Sequence, residues 1–299
     1  MRTAAVIVTH NRLSILKDAI DAIKNQSVVP QDIFVINNGC TDGTEEWLND
    51  QQGLTCVHQA NKGCSDGFSK GLRIALDRQA DWIWIMDDDT IPRTTALESL
   101  HRIIENNVTG KLPGFLCSRV EWLDGTPHKM NIPHISIISK HGLPFNYFDD
   151  KGALLVNACS FVSVLVNAKT VAEIGLPYKE FFIWGDDMEY TQRIIKAGYD
   201  GLYVPASVVL HKTAVNYSAD LFNDDGKSKW KYSYGIRNTL FMLRRDKGLF
   251  KYFATLLKYF FVMPFRILKK RKDHKWSFIK IVWKATWDSI FFNPAIDQI

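Results

Sequence analysis

Trp82-Ile83-Trp84-Ile85-Met86-Asp87-Asp88-Asp89 runs from five apolar residues straight into three consecutive carboxylates. The apolar part reads as a strand buried on both faces, since a short unbroken hydrophobic run is what the inside of a covered sheet requires. The three aspartates then lie at its carboxyl end. An unpaired carboxylate is costly to desolvate and three neighbours repel one another, so the cluster calls for a cation. Mg²⁺ or Mn²⁺, held by one or two carboxylates and by substrate phosphates, meets that need. Without the strand before it, the triplet would read as a solvated acidic turn.

Outward from this strand, β-branched runs alternate with helical segments. Strands are predicted at 4–9, 33–36, 55–58 and 82–86, with helices over about 13–25, from 44, over 67–78 and over 95–106. That alternation specifies an α/β fold with a mostly parallel sheet flanked by helices, and in such sheets ligands bind beyond the carboxyl ends of the strands. Polar loops fall at those ends: Thr9-His10-Asn11-Arg12, then 37–44 (Asn-Asn-Gly-Cys-Thr-Asp-Gly-Thr), then 61–67 (Asn-Lys-Gly-Cys-Ser-Asp-Gly). Small residues let the backbone approach a ligand, and amides at the following helix starts can bind an anion. Singly, each loop reads as a turn with a cap.

The chain has 299 residues, 46% apolar and 23% charged, enough for one large core. Its five cysteines, Cys40, Cys56, Cys64, Cys117 and Cys159, show no metal-binding spacing and suggest free thiols in a reducing compartment. Residues 1–30 lack the pattern of a cleaved export signal, and no run of about 18 apolar residues suggests a spanning helix. The net charge of +5 hides a division: residues 1–226 hold 20 Lys/Arg against 28 Asp/Glu, and residues 227–284 hold 17 against 2. Phe250, Tyr259, Phe265, Trp276, Trp283 and other aromatics are interleaved with this basic segment. The mixture suits an anionic membrane interface. The other readings are a plain helical subdomain with an aromatic core, and a nucleic-acid-binding stripe.

Four stretches in order carry a family resemblance: Val6-Ile7-Val8-Thr9-His10-Asn11-Arg12, the 38–44 loop, the Asp-triplet strand end, and Phe182-Ile183-Trp184-Gly185-Asp186-Asp187-Met188-Glu189-Tyr190. Together they resemble the GT-A fold of the inverting glycosyltransferases of family 2. Over residues 1–240 the chain is similar to bacterial galactofuranosyltransferase-like and rhamnosyltransferase-like members. The resemblance implies that Thr9, Asn11 and Arg12 line the nucleoside pocket and that Asn38 lies near the base, with Asn61 and Asp66 also on the donor side. Relatives often place at 37 or 38 an Asp that contacts uracil, where this chain has Asn37 and Asn38. Asp87 is implied near the ribose, Asp88 and Asp89 at the metal, and His211 as a further metal ligand.

The chemistry needs these parts. A divalent ion bridging the leaving phosphates stabilises their charge, and inversion needs a base for the incoming hydroxyl. Alignment with the family's acidic pair makes Asp187 the expected base, with Asp186 orienting the acceptor. Trp184 suits stacking on a sugar, Glu189 a second orienting role, and Lys212 and Arg237 contacts to diphosphate or acceptor. Asp149-Asp150 reads as an exposed turn.

The expectation is therefore a catalytic domain over 1–226, divided into a nucleotide-sugar half (1–110) and an acceptor half (111–226), followed by a basic, membrane-associating helical region over 227–299. Its reaction would be Mn²⁺- or Mg²⁺-dependent hexose transfer, galactofuranose from UDP-galactofuranose in the first instance, to a lipid-linked glycan in cell-surface polysaccharide synthesis of the O-antigen or capsule type. The protein would act from the cytoplasm, peripherally on the inner face of the plasma membrane, without nucleic acid. Rhamnose from dTDP-rhamnose or galactose from UDP-galactose are alternative transfers, and a non-catalytic nucleotide- or nucleic-acid-binding protein is the alternative of another class.

Overall fold

The computed structural model describes residues 1–299. Nine strands form one sheet: β1 (Thr3–Thr9), β2 (Asp32–Asn38), β3 (Thr55–Gln59), β4 (Trp82–Asp87), β5 (Thr90–Pro92), β6 (Phe115–Glu121), β7 (Leu154–Val156), β8 (Val164–Asn167) and β9 (Gly201–His211). Their order is β3-β2-β1-β4-β8-β6-β9-β5, with β7 also on β9. From β3 to β4 every pairing is parallel. β8 enters antiparallel between β4 and β6, and β5 and β7 run antiparallel to β9. The remaining six strands share one direction, as the alternating pattern predicted.

Strand periodicity explains the two cores. Ala5, Ile7, Trp84 and Met86 face one side, where they pack with Leu16, Ile20 and Ile23 of α1 (Leu13–Lys24). Following α2 (Thr44–Asn49) and α3 (Cys64–Asp77), α4 (Ala96–Glu105) adds Leu97, Leu100 and Ile104 to that same side. Val6, Val8, Ile83 and Ile85 face the other side, against Phe68, Leu72 and Ala75 of α3. Consecutive side chains of a strand point to opposite faces, so a continuous apolar run means that both faces are covered. α3 lies hard on β1: a Cβ at Gly71 would come 2.2 Å from Val6 Cγ1, and one at Gly67 2.6 Å from Val8 Cγ1.

β9 continues through Pro205, which has no N–H to donate. The ladder slips there, Ser118 pairing with Val204 and Arg119 with Val208. Such a bulge re-aims the strand beyond it, which ends at His211.

The chain forms two compact units, residues 1–179 with 187–217 and 296–299, and residues 180–186 with 218–295. The expected boundary was at 226. Residues 296–299 join the sheet unit because Leu176 N–H donates to Asp297 O, Lys179 pairs with the Asp297 carboxylate at 2.7 Å, and Arg73 donates to Gln298 O at 2.6 Å. α5 (Ala168–Ile174) also belongs to the sheet unit, as does nearly all of α6 (Asp186–Lys196).

The second unit is built from α7 (Lys231–Lys247), α8 (Leu249–Leu257), α9 (Met263–Lys270) and α10 (Lys275–Phe291), with a π-helical turn over Lys258–Val262. Tyr232, Ile236, Leu240, Leu256, Ile267, Phe278 and Val282 make its core. Arg271 is buried there, donating to the carbonyls of Leu221 and Asp224 and lying 3.6 Å over the Phe278 ring. Many of the unit's other aromatics face outward, Phe250 at 90% exposure and Phe265 at 72%. No helix is long and apolar enough to cross a membrane.

Candidate active site

The Asp triplet divides its labour. β4 ends at Asp87, the chain turns, and β5 begins at Thr90, where Thr90 pairs with His211 at the end of β9. One ligand atom each from Asp87, Asp89 and His211 falls within 4.8 Å of the others. The expected trio was Asp88, Asp89 and His211, with the choice among the three aspartates left open. Asp88 is engaged by the first loop, accepting from Thr9 Oγ1 at 2.7 Å, His10 N–H at 3.3 Å and Arg12 Nη1 at 3.2 Å. Burial pushes the Asp88 carboxyl up to about 6, in spite of Arg12.

Two facts show that the trio fits a divalent cation. His211 Nδ1 lies 2.8 Å from Asn131 Oδ1, and Asn131 Nδ2 donates to Ser160 Oγ, so the amide oxygen faces the ring and Nδ1 carries the proton. In the neutral ring the Nε2 lone pair then points at Asp89 Oδ1, 3.2 Å away. That oxygen is buried with no hydrogen-bond donor to it. Either a proton on Nε2 or a cation between the two atoms satisfies that oxygen, and two carboxylates with one imidazole suit Mn²⁺ or Mg²⁺. Burial raises the Asp89 carboxyl, but its neighbours His211 and Arg12 outweigh it and hold it down at about 2. Arg12 bridges Asp88 and Asp89. Burial works against its charge, which the three aspartates more than offset, so its pKa is raised.

The three loops beside the triplet are braced to one another. Asn11, at φ 54°, accepts from Thr41 N–H at 2.6 Å and donates its own N–H to Cys40 Sγ. Asn38 is almost wholly buried, its side chain accepting from Gln59 and Lys62 N–H and donating to Asn61. Asn61 in turn accepts from Gly63 N–H and contacts His10. Asp66, in the first turn of α3, accepts from Gln59 at 2.9 Å. Asn38, expected near the base, has a protein partner for each side-chain polar atom and so also fastens the 59–63 loop.

Around residue 184 the backbone is strained. Phe182, Trp184 and Gly185 all have φ near 60–90°, a region L-residues avoid. Asn238 holds the turn by donating to the carbonyls of Phe181, Ile183 and Trp184. α6 begins at once with Asp186 and Asp187, whose carboxylates suit the positive end of the helix dipole. Asp186 is buried, and Asp187 is half-buried with Met188 N–H donating to its Oδ1 at 2.7 Å.

A family profile described as "Glycosyl transferase family 2" matches residues 4–165, over half of the chain. The chain belongs to glycosyl transferase family 2. A galactofuranosyltransferase GlfT1 of Mycolicibacterium smegmatis is 29% identical over 202 residues, 65% of this chain and 65% of that protein. An O-antigen chain rhamnosyltransferase RfbN of Salmonella typhimurium is 25% identical over 221 residues, 71% of this chain and 66% of that one. The match to the GlfT1 relative thus spans a little under two thirds of its length. Among solved structures, S. aureus TarS superposes with TM-score 0.55 at 11% identity, covering 81% of this chain and 44% of that chain. GalNAc-T7 with UDP, GalNAc and Mn2+ gives 0.62 at 14%, covering 100% and 55%. At those identities the likeness is one of fold, and the fold is GT-A.

Several residues expected to contact the acceptor have partners within this family 2 member. Glu189 is wholly buried and chelates Arg193, so its carboxylate has no face for an acceptor. Lys212 pairs with Asp18 on α1 at 2.8 Å. Arg237 donates to Glu180 O and lies over the Phe292 ring at 3.8 Å. Trp184 packs edge-on against Tyr232 and above Gly235. Asn131, His128 and Asn238 carry supporting roles that no motif announced. His128 packs its ring 4.4 Å from His211, and burial first, then the neighbouring His211, drive its pKa down to about 4, so it stays neutral. Signals for these residues were absent because each acts through a partner 50 or more positions away.

Proposed function

We propose that the protein transfers a hexose from a nucleoside diphosphate sugar to a hydroxyl acceptor with inversion. The grouping of Asp87, Asp89 and His211 around an oxygen without a donor, at the carboxyl ends of parallel strands, carries this conclusion. A divalent cation bound there would supply charge stabilisation to the departing diphosphate. Arg12 holds Asp88 and Asp89 in place and adds positive charge on the same side. Asp187, at the start of α6, takes the proton from the incoming hydroxyl, and Asp186 orients that hydroxyl. Asn238 keeps the turn before them in its left-handed conformation.

The donor we favour is UDP-galactofuranose, supported by the relatives named galactofuranosyltransferase. The relative named rhamnosyltransferase supports dTDP-rhamnose as the second reading. The acceptor is a lipid-linked glycan at a membrane surface. Outward Phe250, Phe265 and Trp276 alongside 17 Lys/Arg between 227 and 284 support that location. A nucleic-acid partner is disfavoured, because a polyanion binder avoids carboxylate groups such as those near 87 and 187.

Asp187→Asn tests the assignment. Transfer should fall by about two to four powers of ten while calorimetry finds donor affinity unchanged. Near-normal turnover would remove Asp187 as the base. Release of the nucleoside diphosphate from a panel of nucleotide sugars with Mn²⁺ identifies the donor.

A further inference from the structure

The loop that leads away from Asn131 displays four aliphatic side chains to solvent: Ile132 (59% exposed), Ile135 (53%), Ile137 (79%) and Ile138 (54%). Single exposed apolar residues are ordinary, whereas four within seven positions form a patch of the kind that marks an interaction surface. The loop is not collapsed for lack of order. His134 N–H donates to Ala158 O and Asn157 N–H to His134 O, Phe145 N–H to Ile137 O, and Ser139 N–H to Leu143 O, at 2.7–3.0 Å. A backbone held in this way presents its side chains with the ordering cost already met, which favours association.

Composition identifies what the patch meets. From Gly125 to Phe148 there is no aspartate or glutamate, while Lys129, Lys140, His128, His134 and His141 are present. The rest of the first 226 residues is rich in acid, so this stretch stands out in its charge. Lys129 and Lys140 are both exposed, Lys140 also donating to the carbonyls of Ile195 and Lys196. Protein interfaces enrich aromatics and arginine at their centres, and this patch has neither. Aliphatic side chains flanked by basic groups match hydrocarbon beneath anionic headgroups. Position agrees: Ile132 directly follows Asn131, the residue that orients His211.

We propose that loop 130–139 is a second membrane-contacting element, laying Ile132, Ile135, Ile137 and Ile138 into an anionic bilayer surface beside the site that receives the acceptor. This rests on the membrane location proposed above, yet it assigns a surface of the sheet unit, separate from the basic helical unit.

The test uses the full chain and sedimentation with vesicles of equal parts phosphatidylglycerol and phosphatidylcholine. Ile137→Ser with Ile138→Ser should lower the partition constant on the order of tenfold, equivalent to about 1.4 kcal/mol. Ile137→Leu with Ile138→Leu should retain binding, and both variants should melt with the unaltered protein. Equal partitioning of the serine variant overturns the loop's role alone. Absence of vesicle binding by the unaltered chain overturns both the loop's role and the membrane location. Loss of self-association in the serine variant, with vesicle binding intact, would assign the patch to a copy of this chain and overturn the proposal.

Discussion

Asn131→Ala separates a metal site from an incidental cluster. Asn131 touches none of the reacting groups, and its Oδ1 accepts from His211 Nδ1 at 2.8 Å while Ser160 fixes the amide. Removing it deletes the bond that selects the Nδ1–H form and frees the imidazole to rotate or exchange tautomers. Partners of this kind are worth about 10- to 100-fold in metal affinity, or roughly 1.4–2.7 kcal/mol. His128 still packs on the ring at 4.4 Å and opposes part of that freedom, so the expected loss lies near the lower figure. Mn²⁺ titration of the purified protein, followed by electron paramagnetic resonance of the free ion, reads the dissociation constant without any sugar donor. Ser160→Ala should weaken Mn²⁺ less, because it loosens the amide without removing the acceptor. Affinity unchanged within about twofold in Asn131→Ala, with the melting temperature preserved, would refute the assignment of His211 as an oriented ligand.

Asn238→Ala removes up to three hydrogen bonds from the left-handed turn before α6, costing about 1–3 kcal/mol, and should depress transfer more than donor affinity when kcat and KM are compared. Gly71→Ala forces a Cβ to within 2.2 Å of Val6 Cγ1. The overpacking outweighs Ala's better helix propensity, so a net loss of about 1–2 kcal/mol and a melting temperature lower by a few degrees are expected. Asp88 titrates near 6 when folded and near 3.8 when unfolded, so the folded protein binds the extra proton between those values. Its contribution to stability is therefore present below pH 4 and lost as pH rises through 6, by an amount on the order of 2–3 kcal/mol. Asp88→Asn should remove that slope from metal-free urea unfolding measured at pH 4–7.

Much of the fold was legible residue by residue. The runs at 4–9, 33–36, 55–58 and 82–86 became β1 to β4 with boundaries shifted by at most two residues, because continuous apolar stretches can only be satisfied in a sheet covered on both faces. The antiparallel insertion of β8 was not legible. Its Val164–Asn167 pairs with Trp82–Ile85, about eighty residues earlier, and no local pattern encodes such a register. Glu189 shows the same limit from the other side: a carboxylate after two aspartates suggests an acceptor contact, yet Arg193 one turn later takes it into the core.

Residue order alone placed three carboxylates at a strand end and a histidine at the end of another strand, and so announced a need for a cation, because strand periodicity and charge are properties of neighbours in the chain. Which carboxylates come together with His211 depended on the pairing of Thr90 with His211 and on Thr9, His10 and Arg12 engaging Asp88. Those contacts join residues 76 to 121 positions apart, and a distance of a few ångströms between such groups exists only once the sheet has closed.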